Sequence, residues 1–146
     1  MSKSISHIKI AVVIPCYREA TEILNVIKDI GTEVSHIIVV DDACPDKTGE
    51  HVKAYCADPR VQVLIHKKNT GVGGATMSGY KRAIEDGCEI IVKVDGDGQM
   101  DPSLIPVLIA PLLEGTADYH DVVTMAASPQ RKSSEMHVWS TVGPQC

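Results

Sequence analysis

Two carboxylates, Asp95 and Asp97, stand either side of a single glycine in VKVDGDGQMDP (92–102), where an apolar run ends abruptly. Residues two apart in an extended segment point to the same side. Gly96 and Gly98 let the backbone turn sharply and approach a ligand closely. A carboxylate pair of this kind suits a hard divalent cation, Mg²⁺ or Mn²⁺, which keeps coordination positions open for phosphate oxygens. The same letters also fit a solvated turn in which Asp101 caps a following helix.

Competing chemistries fail on spacing. An EF-hand loop beginning at Asp95 needs glycine at its sixth position and glutamate at its twelfth, where this chain has Met100 and Pro106. An aspartate-nucleophile phosphatase needs its D-x-D on an early strand, and here the pair follows the fourth apolar run. In NTGVGGATMSG, Gly71, Gly73 and Thr76 give G-x-G-x-x-T after the third run, lacking the last glycine of a dinucleotide fingerprint. A glycine turn opening a helix fits that stretch, and the helix N-terminus would attract anionic groups. Asp41 and Asp42 close the second run, either as turn-forming acids or as ligand-binding ones. His7, His36, His51 and His66 are scattered and predict no zinc site.

The elements that must position these residues are legible. IKIAVVI (8–14), HIIVV (36–40), VQVLI (61–65) and EIIVKV (89–94) are nearly continuous apolar runs, the pattern of strands buried on both faces of a parallel sheet. Helical patterns separate them, through Ile23, Leu24, Ile27 and Ile30, then Val52, Tyr55 and Cys56, then Met77, Tyr80, Ala83 and Ile84. A fourth follows Asp101 and Pro102, with Pro106 and Pro111 expected to kink or shorten it. Strands alternating with helices predict an α/β, Rossmann-like, doubly wound and mainly parallel sheet. Ligands then bind outside the carboxyl ends of the strands. The loops to inspect are therefore 15–19, 41–49, 66–74 and 95–101.

Composition fits one domain. The chain has 146 residues, 44% hydrophobic and 23% charged, with 3% aromatics and no Phe, so its core must be built from Ile, Val and Leu. A net charge of −5 argues against nucleic acid as a partner. Five cysteines without a C-x-x-C pattern suggest a reducing compartment. The start predicts no signal peptide, and no run approaches the about 20 apolar residues of a membrane span. A cytoplasmic location follows, with peripheral attachment at the inner membrane surface as an option.

As a set, these loops resemble family 2 glycosyltransferases. VVIPCYREA is similar to their V-V-I-P-x-Y-N-E opening, IIVVDDACPDKTG to their acidic second-strand turn, and KNTGVGGATMSGYKRA to their asparagine-glycine segment. VDGDGQMDP resembles the D-x-D-G-Q-x-D-P of the dolichyl-phosphate-mannose-synthase-like branch. The resemblance covers residues 8–119 and implies a GT-A fold that binds a nucleoside-diphosphate sugar, GDP-mannose or a UDP-hexose. By that resemblance Pro15, Tyr17, Glu19, Asn69 and Gly71 line the nucleotide, and Asp42 accepts a ring N–H of the base. Asp95 lies by the ribose and the metal, Asp97 holds the metal on the diphosphate, and Gln99 sits near the phosphates. Asp95 and Asp97 are then the catalytic pair. Arg18 stands where the family has Asn.

The implied reaction is metal-assisted hexosyl transfer to a saccharide or a polyprenyl phosphate. A non-catalytic nucleotide-sugar-binding fragment or pseudo-enzyme is the alternative. A nucleotidyltransferase fits less well, since it would show a glycine-rich basic loop where this chain has PCYREA. Residues 1–119 read as the donor-binding domain and 120–146 as a divergent, poorly ordered tail, as in a chain truncated or frame-shifted near residue 119. The apolar run Val122–Met125 could add one strand. Otherwise the sheet would stay uncovered on one side, which predicts association through it.

Overall fold

The four β-branched runs become four parallel strands: β1 (Ile10–Cys16), β2 (His36–Asp41), β3 (Val61–Ile65) and β4 (Ile90–Lys93). The computed structural model describes residues 8–96, 98 and 101–114, and the backbone of His137–Ser140. Asp97 and Gln99 lie outside the described residues, as does Val122–Met125. Strand order is β3-β2-β1-β4-β5, where β5 (His137–Ser140) runs antiparallel to β4 with Val92 opposite Val138. The flank of β4, expected to need a cover, thus carries a strand from the stretch read as a polar tail. HVWS alternates over too few residues to signal a strand locally.

Helices α1 (Ile23–Lys28), α2 (Thr48–Tyr55), α3 (Gly71–Glu85) and α4 (Ile105–Glu114) cover the sheet. Side chains alternate along each strand, so β1 sends Ile10, Val12 and Ile14 to one face and Ala11 and Val13 to the other. The first face packs on Ile23, Val26 and Ile27 of α1, Val52 of α2, and Ile105 and Ile109 of α4. The second packs on Ala75 and Ala83 of α3. Connections from β1 through β3 step one way across the sheet, and the step to β4 reverses. Right-handed crossovers therefore put α3 on the opposite face from α1 and α2. The reversal lies between β1 and β4, where a crevice opens beyond the carboxyl ends.

The face that α3 buries is only partly the one its apolar spacing suggested: Ala83 is buried and Tyr80 packs against the core, as expected. Ala75, Gly79 and Ala83 form the buried stripe, while Met77 and Ile84 are 57% and 58% exposed. Small residues win because the helix lies against β1: a Cβ at Gly79 would collide with Val13 Cγ1. In α2 Val52 is buried as expected, but Tyr55 is exposed with its ring beside His51. Asp101 Oδ1 accepts from the Ser103 amide at 3.0 Å, capping a 3₁₀ turn (Pro102–Leu104) that leads into α4. That helix runs on through Pro111, and the tight first turn falls just before Pro106.

Away from the crevice, the amino end of the sheet is closed by polar ties. The Arg60 guanidinium donates to the carbonyls of Gly31 (2.6 Å), Val34 (3.0 Å) and Ile30 (3.1 Å) and pairs with Asp58 at 2.8 Å. Ser35 Oγ bridges the amide and carbonyl of Ile10. No helix among the described residues is long and apolar enough to cross a membrane.

Candidate functional site

β1 ends in Pro15 and Cys16, both buried, and the loop after it emerges at Tyr17, which is 41% exposed. Arg18 takes a left-handed conformation (φ 59°), and its guanidinium lies 5.4 Å from the Tyr17 ring centre. Asparagine, which Arg18 replaces in the resemblance, tolerates that region more readily. Burial, with Asp41 and Glu19 nearby, pushes the Cys16 thiol far up, so it is inert.

Asp41 and Asp42 divide the work of the second loop. Asp41 is buried, accepting from the Cys44 amide at 2.9 Å and the Gly49 amide at 2.7 Å. It therefore caps α2 from the end of β2 and is structural. Thr48, also buried, donates to Asp46 at 2.8 Å and accepts from the Glu19 amide at 3.2 Å. That hydroxyl ties the first loop to the second.

Asp42 reaches the other way, to the start of α3. Its Oδ1 accepts from the Thr70 amide, the Thr70 hydroxyl and His66 Nδ1, each at 2.8 Å. Burial would raise its pKa, but the Thr70 amide, His66, the Thr70 hydroxyl and the Gly71 amide together hold it below 3.8. The helix N-terminus thus already holds an anion, which is the Asp42 carboxylate itself. Asn69 Nδ2 donates to the Asp42 carbonyl at 3.1 Å, and Asn69 Oδ1 accepts from the Gly71 amide. Gly71 needs its freedom, with φ at 84°.

At the end of β4, Asp95 is partly buried, with its Oδ1 3.5 Å from Lys93 Nζ. Gly96 is buried against Glu19, so that a Cβ there would strike Glu19 Oε2. A side chain at that position would displace the Glu19 carboxylate and crowd Ile23 and Cys16, so the glycine eases the close approach of the two loops.

One cleft of about 210 Å³ gathers these loops, lined by Pro15, Tyr17, Glu19, Asp42, Asn69, Gly71 and Asp95, with Cys16, Val72 and Ala75. Every site residue expected from the sequence that lies within the described residues borders it. Sequence reasoning missed Cys16, Val72 and Ala75, which are apolar lining, and passed over His66, Thr48 and Thr70. Their only signal would have been position in the right loops.

The donor set can be tested for a divalent cation. Among the described residues no three His, Cys, Asp or Glu side chains gather into a cage. A cation held by one or two carboxylates and completed by phosphate oxygens and water needs no cage. Asp95, an oxygen donor bordering the cleft, fits that mode.

The glycosyl transferase family 2 model matches residues 11–143. The undecaprenyl-phosphate mannosyltransferase of Micrococcus luteus is 35% identical over 69% of this chain and 43% of its own length. The UDP-N-acetylglucosamine–dolichyl-phosphate N-acetylglucosaminyltransferase of Methanococcus voltae is 33% identical over 75% of this chain and 49% of its own. This chain thus spans less than half the length of either relative. Residues 1–349 of S. aureus TarS, in a crystal structure with UDP-GlcNAc, superpose with a TM-score of 0.59 and 26% identity over 77% of this chain and 32% of that chain. The sheet, its crevice and these matches agree: the chain belongs to glycosyl transferase family 2 and carries the α/β fold of the GT-A enzymes.

Proposed function

We propose that this chain is the donor-binding part of a metal-dependent hexosyltransferase, taking a nucleoside-diphosphate sugar and passing the sugar to a lipid phosphate or saccharide hydroxyl. The observation that carries the proposal is the convergence of Pro15, Tyr17, Glu19, Asp42, Asn69, Gly71 and Asp95 on one cleft at the strand-order reversal. The named relatives use polyprenyl phosphates, and TarS has been crystallised with UDP-GlcNAc, which supports both substrate classes.

In this reading the chain's own residues bind and orient. The Asp42 carboxylate accepts a ring N–H of the base, and Tyr17 borders the nucleotide. Gly71 and Gly73 leave the start of α3 open, since a Cβ at either would meet no atom within 4 Å. Asp95 and Asp97 would hold Mg²⁺ or Mn²⁺, with Gln99 near the phosphates. The cation supplies Lewis-acid stabilisation of charge developing on the departing nucleoside diphosphate. A lipid-phosphate acceptor is already anionic and needs no general base, whereas a saccharide hydroxyl does. Such an acceptor places the chain at the cytoplasmic face of a membrane as a peripheral protein.

Thermal shift and calorimetry with UDP-GlcNAc, UDP-glucose and GDP-mannose, in Mn²⁺ and in chelator, test this. At a hundredfold excess over Kd a donor stabilises by about 2.7 kcal/mol. The expected result is a Mn²⁺-dependent rise in Tm of several degrees with at least one donor. No shift with any of them sinks the reading. Release of nucleoside diphosphate in the presence of polyprenyl phosphate separates an enzyme from a binding fragment.

A further inference from the structure

We infer that Asp42 is held as a one-hydrogen-bond acceptor by His66 and Thr70, and that this makes the cleft select a uracil nucleotide over a guanine one. The inference rests on the donor-binding reading above and narrows it to UDP-sugars.

The argument counts lone pairs. A carboxylate offers about four acceptor sites, two on each oxygen. Oδ1 of Asp42 already takes three donors at 2.8 Å: the Thr70 amide, the Thr70 hydroxyl and His66 Nδ1. That oxygen is full. Asp42 is 4% exposed yet borders the cleft, and none of these bonds uses Oδ2. Oδ2 is therefore the one oxygen left open to a ligand.

The arrangement is fixed from both sides. An ionised carboxylate has no proton to give, so His66 Nδ1 carries the hydrogen, and in the neutral ring Nε2 accepts from the Ser78 hydroxyl at 2.8 Å. Ser78 belongs to α3, so the imidazole braces the third loop against that helix. Neither His66 nor Thr70 borders the cleft, which makes them positioning residues acting through Asp42.

The bases differ in what they ask of such an acceptor. Guanine presents two parallel donors, N1–H and N2–H, and needs both oxygens of a carboxylate, as an arginine fork does. With Oδ1 filled, one guanine donor is desolvated without a partner. Uracil presents a single N3–H between two carbonyls, which one oxygen satisfies. Cytosine has no hydrogen on N3, so its lone pair would face the carboxylate.

The test is calorimetric titration of the full chain with UDP, GDP and CDP in Mn²⁺. UDP is expected to bind about tenfold more tightly than GDP, the value of one unmet buried donor, with CDP weakest. GDP binding as tightly as UDP overturns the inference and leaves the donor-binding reading standing. Failure of all three to bind overturns both. His66→Ala combined with Thr70→Ala leaves only the residue-70 amide on Oδ1 and frees a site, so the UDP-to-GDP ratio should fall toward one. Returning Thr70 to the His66→Ala chain puts two donors back on Oδ1 and should restore the ratio. An unchanged ratio in the folded double variant, checked by circular dichroism, removes His66 and Thr70 from the account. The wild-type ratio decides the selectivity whatever the variants do.

Discussion

The two ends of the sheet solve the same problem with opposite charges. At the amino end, Arg60 gathers three carbonyls from the turn after α1 and neutralises Asp58. At the carboxyl end, Asp41 and Asp42 gather amides from the starts of α2 and α3. The parallel α/β plan dictates this. Every crossover helix begins beyond a strand's carboxyl end with unpaired amides, and finishes near the amino end with unpaired carbonyls. Anions suit the first and cations the second.

What differs is closure. Arg60 spends its donors on its own neighbours. The carboxyl end keeps a cleft and one acceptor site on Asp42. It also holds all three non-glycine residues found in the left-handed region among the described residues, Arg18, Ala43 and Lys47. Strained backbone there costs about 1–2 kcal/mol per residue, borne by the loops that line the cleft. One end stabilises and the other is shaped.

Arg60→Ala should break that contrast most forcefully. It strips three carbonyls and Asp58 of their partner, for a loss of about 3 kcal/mol. The urea midpoint should fall while donor affinity in the folded protein stays unchanged. An unaltered midpoint would show that the clamp contributes nothing.

Asp42→Asn acts at the other end and should cost about 2 kcal/mol, since Oδ1 no longer carries the charge its three donors face. It should also remove base binding, which Arg60→Ala should not. The acid limb carries a further signature. The folded pKa of Asp42 lies below 3.8, so its contribution is complete above that value and disappears as pH falls through the folded value. Asp46 and Asp58 are depressed as well, so Asp42→Asn flattens the acid-unfolding curve without abolishing it. A curve as steep as wild type would contradict the hydrogen-bonding account.

Asp97→Asn should leave stability alone and weaken donor binding about tenfold in Mn²⁺, or 1.4 kcal/mol, with little loss in chelator. Equal losses in both conditions would exclude a metal ligand at that position. Least of all, Ala43→Gly should relieve left-handed strain at the carboxyl end for a net gain of about 0.5 kcal/mol, because glycine's unfolded-state entropy offsets part of the relief. A loss of stability in thermal melts would mean that the strain is not stored there.

The sequence by itself determined the four parallel strands, the loops that gather beyond their carboxyl ends, and the acids that border the cleft. These follow from local rules: apolar runs mark doubly covered strands, and strand–helix alternation forces the loops to one end. Pro15 and Asp95 are 80 residues apart, yet both were legible because each closes its own strand. The tertiary structure alone decided three things. It chose the small-residue stripe of α3 over Met77 and Ile84, because helix-to-strand distance outweighs apolar spacing. It paired β5 with β4, where four residues carry too little pattern. And it filled Oδ1 of Asp42 from His66 and Thr70, 24 and 28 residues away, since only the folded loops set which donors reach an acceptor.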